Sequence, residues 1–201
     1  MGARLVVTVK SNQKEIAKIY YHGSAYTLSA LDIARVLVGN FYDEDFVHIK
    51  DEKLRLIKIV EALDGGIEKE DFEYVKNLFP KETFKRNTSK YNGWICLSKE
   101  RRKEIQNYAE ANLIIDFDKQ MVFNNLFFQY DNKDQLKEEY ARLYGTNSEE
   151  ILKEKRIQYI DLNPQEIAFE DIDNLINELD GKEFDIIKCK GVYYECFDSF
   201  F

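Results

Sequence analysis

Proline is nearly missing from this chain, with 2 in 201 residues, and glycine is sparse at 9. Stretches rich in these residues make flexible or extended linkers, so no such linker divides the sequence. Cysteine is scarce too. Cys96, Cys189 and Cys196 are an odd set with no C-x-x-C pair, which argues against a disulfide framework or a zinc site and for reduced, buried thiols. Apolar runs are short, as in Leu5-Val6-Val7 and Leu126-Phe127-Phe128. They fall far below the roughly 20 residues of a spanning helix. The first residues lack the basic start and apolar stretch of a signal peptide, so a soluble, cytoplasmic protein with no membrane partner is expected.

Two histidines, His22 and His48, share no ligand spacing, and neither G-x-x-x-x-G-K nor G-x-G-x-x-G occurs. No metal and no other cofactor is therefore expected. The stretch around Asp64-Gly65 looks like half of a calcium loop. Its earlier ligand positions are Val60 and Ala62, which offer no side-chain oxygen, and Asp71 stands where the closing glutamate belongs. "DGG" reads better as the end of a helix.

What is present is a good core composition: 44% hydrophobic and 14% aromatic residues. "RLVVTVKSNQKEIAKIYYH" alternates as two strands about a polar turn at Ser11 to Lys14. "TLSALDIARVLVGN" has helical spacing, with Thr27 or Ser29 as cap and Gly39-Asn40 as terminator. Two more helices follow, in "DEKLRLIKIVEALDGG" and "EKEDFEYVKNLFP", then a polar loop from Lys81 to Asn92. "GWICLS" is a short strand, "SKERRKEIQNYAEA" a helix capped by Ser98, and "NLIIDFDKQMVFNNLFFQY" a second hairpin turning near Asp118-Lys119. Helices are predicted in "KDQLKEEYARLYG", "TNSEEILKEKR" and "EDIDNLINELDG", and a last hairpin around Lys190-Gly191. The fold class is α+β, with antiparallel hairpins packed against several helices. Residues 1–132 form an α+β unit; 133–201 form a helical segment with an acidic C-terminal hairpin, which can belong to the same domain.

"IYYHGSAYTLSAL", residues 19–31, gathers a histidine, a serine and three tyrosines where a strand meets a helix. As an enzyme site it would use His22 as acid or base, with Tyr20, Tyr21, Ser24 and Tyr26 lining it, acting on a nucleotide signal or nucleic acid. A Ser–His pair also needs an orienting acid and an oxyanion site, and no G-x-S-x-G elbow is present. Turn chemistry accounts for every polar residue there. No catalytic residue is assigned, with His22, Ser24 and Tyr26 the alternative.

Charge is the more informative signal. The chain carries 29 basic and 37 acidic residues, for a net −8. Residues 161–201 hold 11 acids and 3 lysines, so the whole imbalance lies there. Residues 81–103 hold 8 bases and 2 acids. An acidic, aromatic surface can occupy a basic groove, because the Lys and Arg that neutralise phosphates also accept carboxylates. The expected contact residues are Glu166, Glu170, Asp171, Asp173, Glu178, Asp180, Tyr193, Tyr194 and Glu195. The net charge makes nucleic acid an unlikely direct partner. The basic stretch of one copy meeting the acidic end of another is a route to a homo-oligomer.

The opening "MGARLVVTV…IAKIYYHGSAYT", with "NGWICLS" and "LIIDFDKQMVFNNLFF", resembles small accessory proteins carried by bacteriophages of low-GC bacteria. The likeness covers about the first 130 residues as hairpin, helix and hairpin, and departs in the acidic extension after residue 132. It brings no active site, so no residue role is carried over. The resemblance implies anti-defence work in a bacterial host cell: a non-enzymatic inhibitor that binds a host factor, such as a nucleic-acid-guided nuclease, in its nucleic-acid groove.

Overall fold

Asn12 and Gln13, both in the left-handed region at φ 53° and 58°, turn the chain between its first two strands. In a computed structural model the residues described are 4–25, 27–87, 93–109, 111–125, 129–130, 157–159, 166–179, 186–189 and 192–195. The first hairpin is β1 (Arg4–Ser11) and β2 (Lys14–His22), the second β5 (Ala111–Asp116) and β6 (Met121–Asn125). Between them run α1 (Thr27–Tyr42), α2 (Glu44–Val47), α3 (Glu52–Ala62), β3 (Gly66–Ile67), α4 (Phe72–Leu78), β4 (Trp94–Cys96) and α5 (Lys99–Gln106). After β6 come β7 (Gln129–Tyr130), β8 (Ile157–Tyr159), β9 (Ile167–Ala168), α6 (Ile172–Leu179), β10 (Ile186–Cys189) and β11 (Val192–Glu195).

The expected α+β class is what is found, with the three expected hairpins in place. The sheets are mixed, however. One has seven strands in the order β3-β4-β2-β1-β5-β6-β9, the other four in the order β7-β11-β10-β8. β1 with β5, β3 with β4 and β8 with β10 are parallel pairs. Strand β9 and helix α6, from the second half of the sequence, belong to the seven-stranded sheet and its helix layer. The helices expected in 133–145 and 146–156 lie outside the described residues.

Alternation along β1 sorts the core. Leu5, Val7 and Val9 face Leu31, Ala34 and Leu37 of α1 and Leu56, Ile57 and Val60 of α3, all buried. Full burial of a Leu or Ile contributes about 1.5–3 kcal/mol, so this face carries most of the fold. On the other face Val6, Tyr20 and Cys96 pack beneath Ile105 of α5. Helix α6 lays buried Ile172 and Leu175 on the first core, beside α1.

Helix α1 does not stop at Gly39-Asn40. Asn40 Nδ2 donates to the Val36 carbonyl at 2.7 Å, and the helix runs on to Tyr42. Burial of Phe41, stacked on Phe117 at 3.8 Å between ring centroids, holds the extra turn. The segment after Lys81 is also less loose than its polarity suggests. The Ile67 N–H donates to the Lys85 carbonyl at 3.0 Å and the Asn87 N–H to the Ile67 carbonyl at 2.9 Å, so 85–87 caps that edge of the sheet.

Candidate functional site

The corner at 19–31 is built as a turn. Strand β2 ends at His22, Gly23 follows at φ +86°, and α1 begins at Thr27. Gly23 is required by that angle, which costs other residues a clash between Cβ and carbonyl. His22 and Tyr20 are two apart on the strand, so they share a face, and Tyr20 Oη lies 3.1 Å from His22 Nδ1. The Tyr20 ring packs against Trp94 at 5.1 Å between centroids. Ser24 is half-buried beyond the strand end, and no His22–Ser24 hydrogen bond is seen among the described residues. Tyr21 points to the opposite face, against the main core. Burial raises its phenol well above the ordinary tyrosine value. Tyr26 lies outside the described residues.

The acidic residues come together differently. Residues 166–178, "EIAFEDIDNLINE", hold five acids and no base. Ile167, Ile172 and Leu175 are buried, while Glu166, Glu170, Asp171, Asp173 and Glu178 are all exposed. Apolar residues at 172, 175 and 176 bind one face of α6 to the core beside α1, which leaves Asp173 and Glu178 exposed. Phe169, in the 3-10 turn Phe169–Asp171, meets Phe117 edge-on at 5.7 Å between centroids. Glu170 and Asp171 therefore flank an anchored ring rather than a loose loop. One base approaches this ridge among the described residues: Arg35 of α1, 3.9 Å from Asp173 and paired also with Asp32.

Of the remaining expected contact residues, Asp180 lies outside the described residues, and Tyr193, Tyr194 and Glu195 form β11 of the four-stranded sheet. There Tyr193 pairs with Lys188 and Tyr194 with Ile187 of β10.

The basic stretch 81–103 is much less electropositive than its composition. Arg101 bridges three carboxylates, with Nε 3.0 Å from Glu68, Nη1 2.5 Å from Glu70 and a further pair to Glu104. Partial burial lowers its pKa, but those carboxylates outweigh the effect and raise it. Arg102 pairs with Glu15 at 3.3 Å, Lys85 with Asp64 at 3.4 Å, and the Arg86 guanidinium covers the Phe72 ring at 4.8 Å.

One functional group for the fold went unrecognised in the sequence. Asp71 is 1% exposed, and its carboxylate accepts the Leu97 N–H at 2.5 Å and the Ser98 N–H at 3.1 Å. Glu68 accepts the N–H groups of Glu70 and Asp71, at 2.9 and 3.2 Å. Together they tie the start of α4 to the link between β4 and α5. Cys96 lies buried beside them. Burial first, then the nearby Asp71 and Glu68 charges, push its thiol far above the ordinary range. Such a thiol is a packing group, not a nucleophile.

Among the described residues no three His, Cys, Asp or Glu side chains are placed to hold a metal ion, and no helix is long and apolar enough to cross a membrane. Protein-family models, curated proteins and solved structures were compared with the chain, and none matches.

Proposed function

We propose that this chain is a non-enzymatic protein-binding module that inhibits a partner by occupying its basic groove. The observation that carries the reading is the ridge at 166–178, where every ionisable residue is an acid and every one is exposed, along a strand, turn and helix anchored to the core by Ile167, Ile172 and Leu175. A rigid array of carboxylates suits a surface of Lys and Arg, and steers encounter over several ångströms. The phage resemblance of the first 130 residues supports a host defence factor as the partner, a nucleic-acid-guided nuclease being the class with such a groove.

The test combines capture from host lysate with competition. The wild-type chain should retain one stoichiometric partner at low salt, lose it at high salt, and displace nucleic acid from it. The triple charge reversal Glu170→Lys, Asp171→Lys, Asp173→Lys should weaken capture at least tenfold. A partner that binds the reversed variant as tightly as wild type overturns the reading.

A further inference from the structure

A second exposed surface begins where α1 ends. Tyr42, the last residue of that helix, is 49% exposed, and no residue of α2, which follows it, is buried. Val47 of α2 is exposed too, at 40%. Tyr42 is nonetheless braced. Its ring meets Phe41 and Phe117 edge-on, at 5.6 and 5.8 Å between centroids. Phe117 meets Phe169 in the same way at 5.7 Å, so one buried ring stands between Tyr42 and the turn that carries Glu170 and Asp171. The patch and the acidic ridge share that support.

The rim of the patch is acidic. Asp43, Glu44 and Asp45 follow Tyr42 and are all exposed. Glu52 accepts from Ser11 Oγ at 2.8 Å and from Asn12 Nδ2 at 3.0 Å, and Asp118 accepts the Asn12 and Gln13 N–H groups. Asn12 thus fixes both carboxylates, and among the described residues no Lys or Arg is ion-paired with either. Both act on the Tyr42 phenol. Partial burial raises its pKa first, the Glu52 charge raises it further, and Asp118 adds to the rise against the opposing Arg55. Arg55 itself is committed inward. It donates to the Ile49, Phe41 and Val47 carbonyls at 2.9, 3.3 and 3.4 Å, with its guanidinium 4.6 Å from the Phe41 ring centre. Of two adjacent rings, the inner one is already covered by an arginine, and the outer one has carboxylates beside it to hold another.

We infer that the docking surface runs on from the ridge across Phe117 to Tyr42, and that Tyr42 takes an arginine side chain of the basic partner. A guanidinium is flat and weakly hydrated, and it can stack on a ring while its N–H groups reach neighbouring carboxylates; an ammonium has no flat face to stack. A braced tyrosine also loses little freedom when it is covered, as suits an interface anchor. The inference rests on the proposed basic partner. It adds a preference that the ridge alone does not give, because carboxylates accept lysine and arginine alike.

The experiment titrates the full chain with two probes, a nine-residue arginine peptide and a nine-residue lysine peptide. The arginine peptide should bind about fivefold more tightly. Tyr42→Leu should bring that ratio close to one, while Tyr42→Phe, which keeps the ring, should preserve it. Tyr42→Gln stands in if the Leu variant does not fold, as read by circular dichroism. Tyr108→Leu is the control: Tyr108 is 48% exposed but follows α5, which packs on the other face of the sheet, so its loss should leave the ratio unchanged. The charge-reversed ridge variant should weaken both peptides alike and keep the ratio. Equal binding of the two peptides to wild type overturns the arginine assignment and leaves the ridge standing. So does a ratio that survives loss of the Tyr42 ring, or one that is lost in the Phe variant. Failure of both peptides to bind sinks the docking surface itself, and this inference with it. A dimer in sedimentation that Tyr42→Leu disperses would give the patch to a second copy of the chain, and also overturns it.

Discussion

Replacing Asp71 with alanine removes the acceptor of two buried N–H groups and leaves no route for water to replace it. The Leu97 and Ser98 amides that donate to Asp71, at 2.5 and 3.1 Å, belong to residues 2% and 8% exposed. Each orphaned buried donor costs about 1–3 kcal/mol, so the substitution should lower stability by about 4 kcal/mol. That is a large part of the roughly 5–15 kcal/mol that holds a domain together. Asp118 makes the comparison. Its carboxylate also accepts two backbone amides, from Asn12 at 2.9 Å and Gln13 at 2.7 Å, but at an exposed turn where water can substitute. Asp118→Ala should cost no more than about 1 kcal/mol. The assay is urea unfolding followed by fluorescence of Trp94, the one tryptophan of the chain, which lies in β4 close to the Asp71 contacts. With a slope near 2 kcal/mol per molar, Asp71→Ala should move the midpoint by about 2 M. Asp71→Asn, which keeps one acceptor oxygen, should fall between. Equal midpoints for Asp71→Ala and Asp118→Ala would show that burial does not set the worth of these bonds, and would refute the reasoning.

Two further outcomes follow from close packing and from buried protons. A Cβ at Gly65 would stand 2.6 Å from the Gly93 carbonyl oxygen and 2.6 Å from Val60 Cγ1, whereas one at Gly23 meets nothing within 4 Å. Gly65→Ala should therefore cost several times the roughly 1–2 kcal/mol of backbone strain that Gly23→Ala incurs, measured by the same unfolding curves. Cys96 and Tyr21 both have raised pKa values, mainly through burial, so the folded state holds their protons longer than the unfolded chain does. Their contribution is complete below the ordinary values, roughly 8.5 for Cys and 10 for Tyr, and drains away as pH rises past them. The unfolding midpoint should drop steadily above about pH 9, and Cys96→Ala should delay the onset; a flat profile up to pH 11 would contradict that assignment.

Local chemistry was readable in the sequence and long-range pairing was not. The β1–β2 turn, the Ser98 cap and the Asp116 turn are written in adjacent residues: Ser98 Oγ accepts the Arg101 N–H, and Asp116 accepts the N–H groups of Asp118 and Lys119 at 3.1 Å each. The parallel pairing of β1 with β5 joins Val6 to Asn112, and nothing within a short window marks partners so far apart. Asp71 was passed over because its sequence context resembles a failed ion ligand, while its work depends on backbone amides 26 and 27 residues away. The acidic ridge shows both sides. Its charges were plain from composition, but which of them escape burial depended on α6 lying against α1. The basic stretch misled for a related reason, since composition counts charges and ignores the carboxylates that Arg101 and Arg102 meet on other elements.

Strand β9 returns to the very strand the chain left, pairing Ile167 with Val122 and Ala168 with Met121. Residues 126–165 thus separate in sequence two strands that are neighbours in the sheet, while β7 and β8 within that span pair with β11 and β10 from beyond α6. A four-residue hairpin in their place would join the same neighbours and relieve about 2 kcal/mol of closure entropy. The edge, the aromatic anchor at Phe169 and the ridge beyond it have described supports of their own in β6, Phe117 and the main core. A shortened chain lacking 126–165 should still display the ridge, whose described anchors lie outside the deletion, while β10 and β11 lose their outer partners β8 and β7.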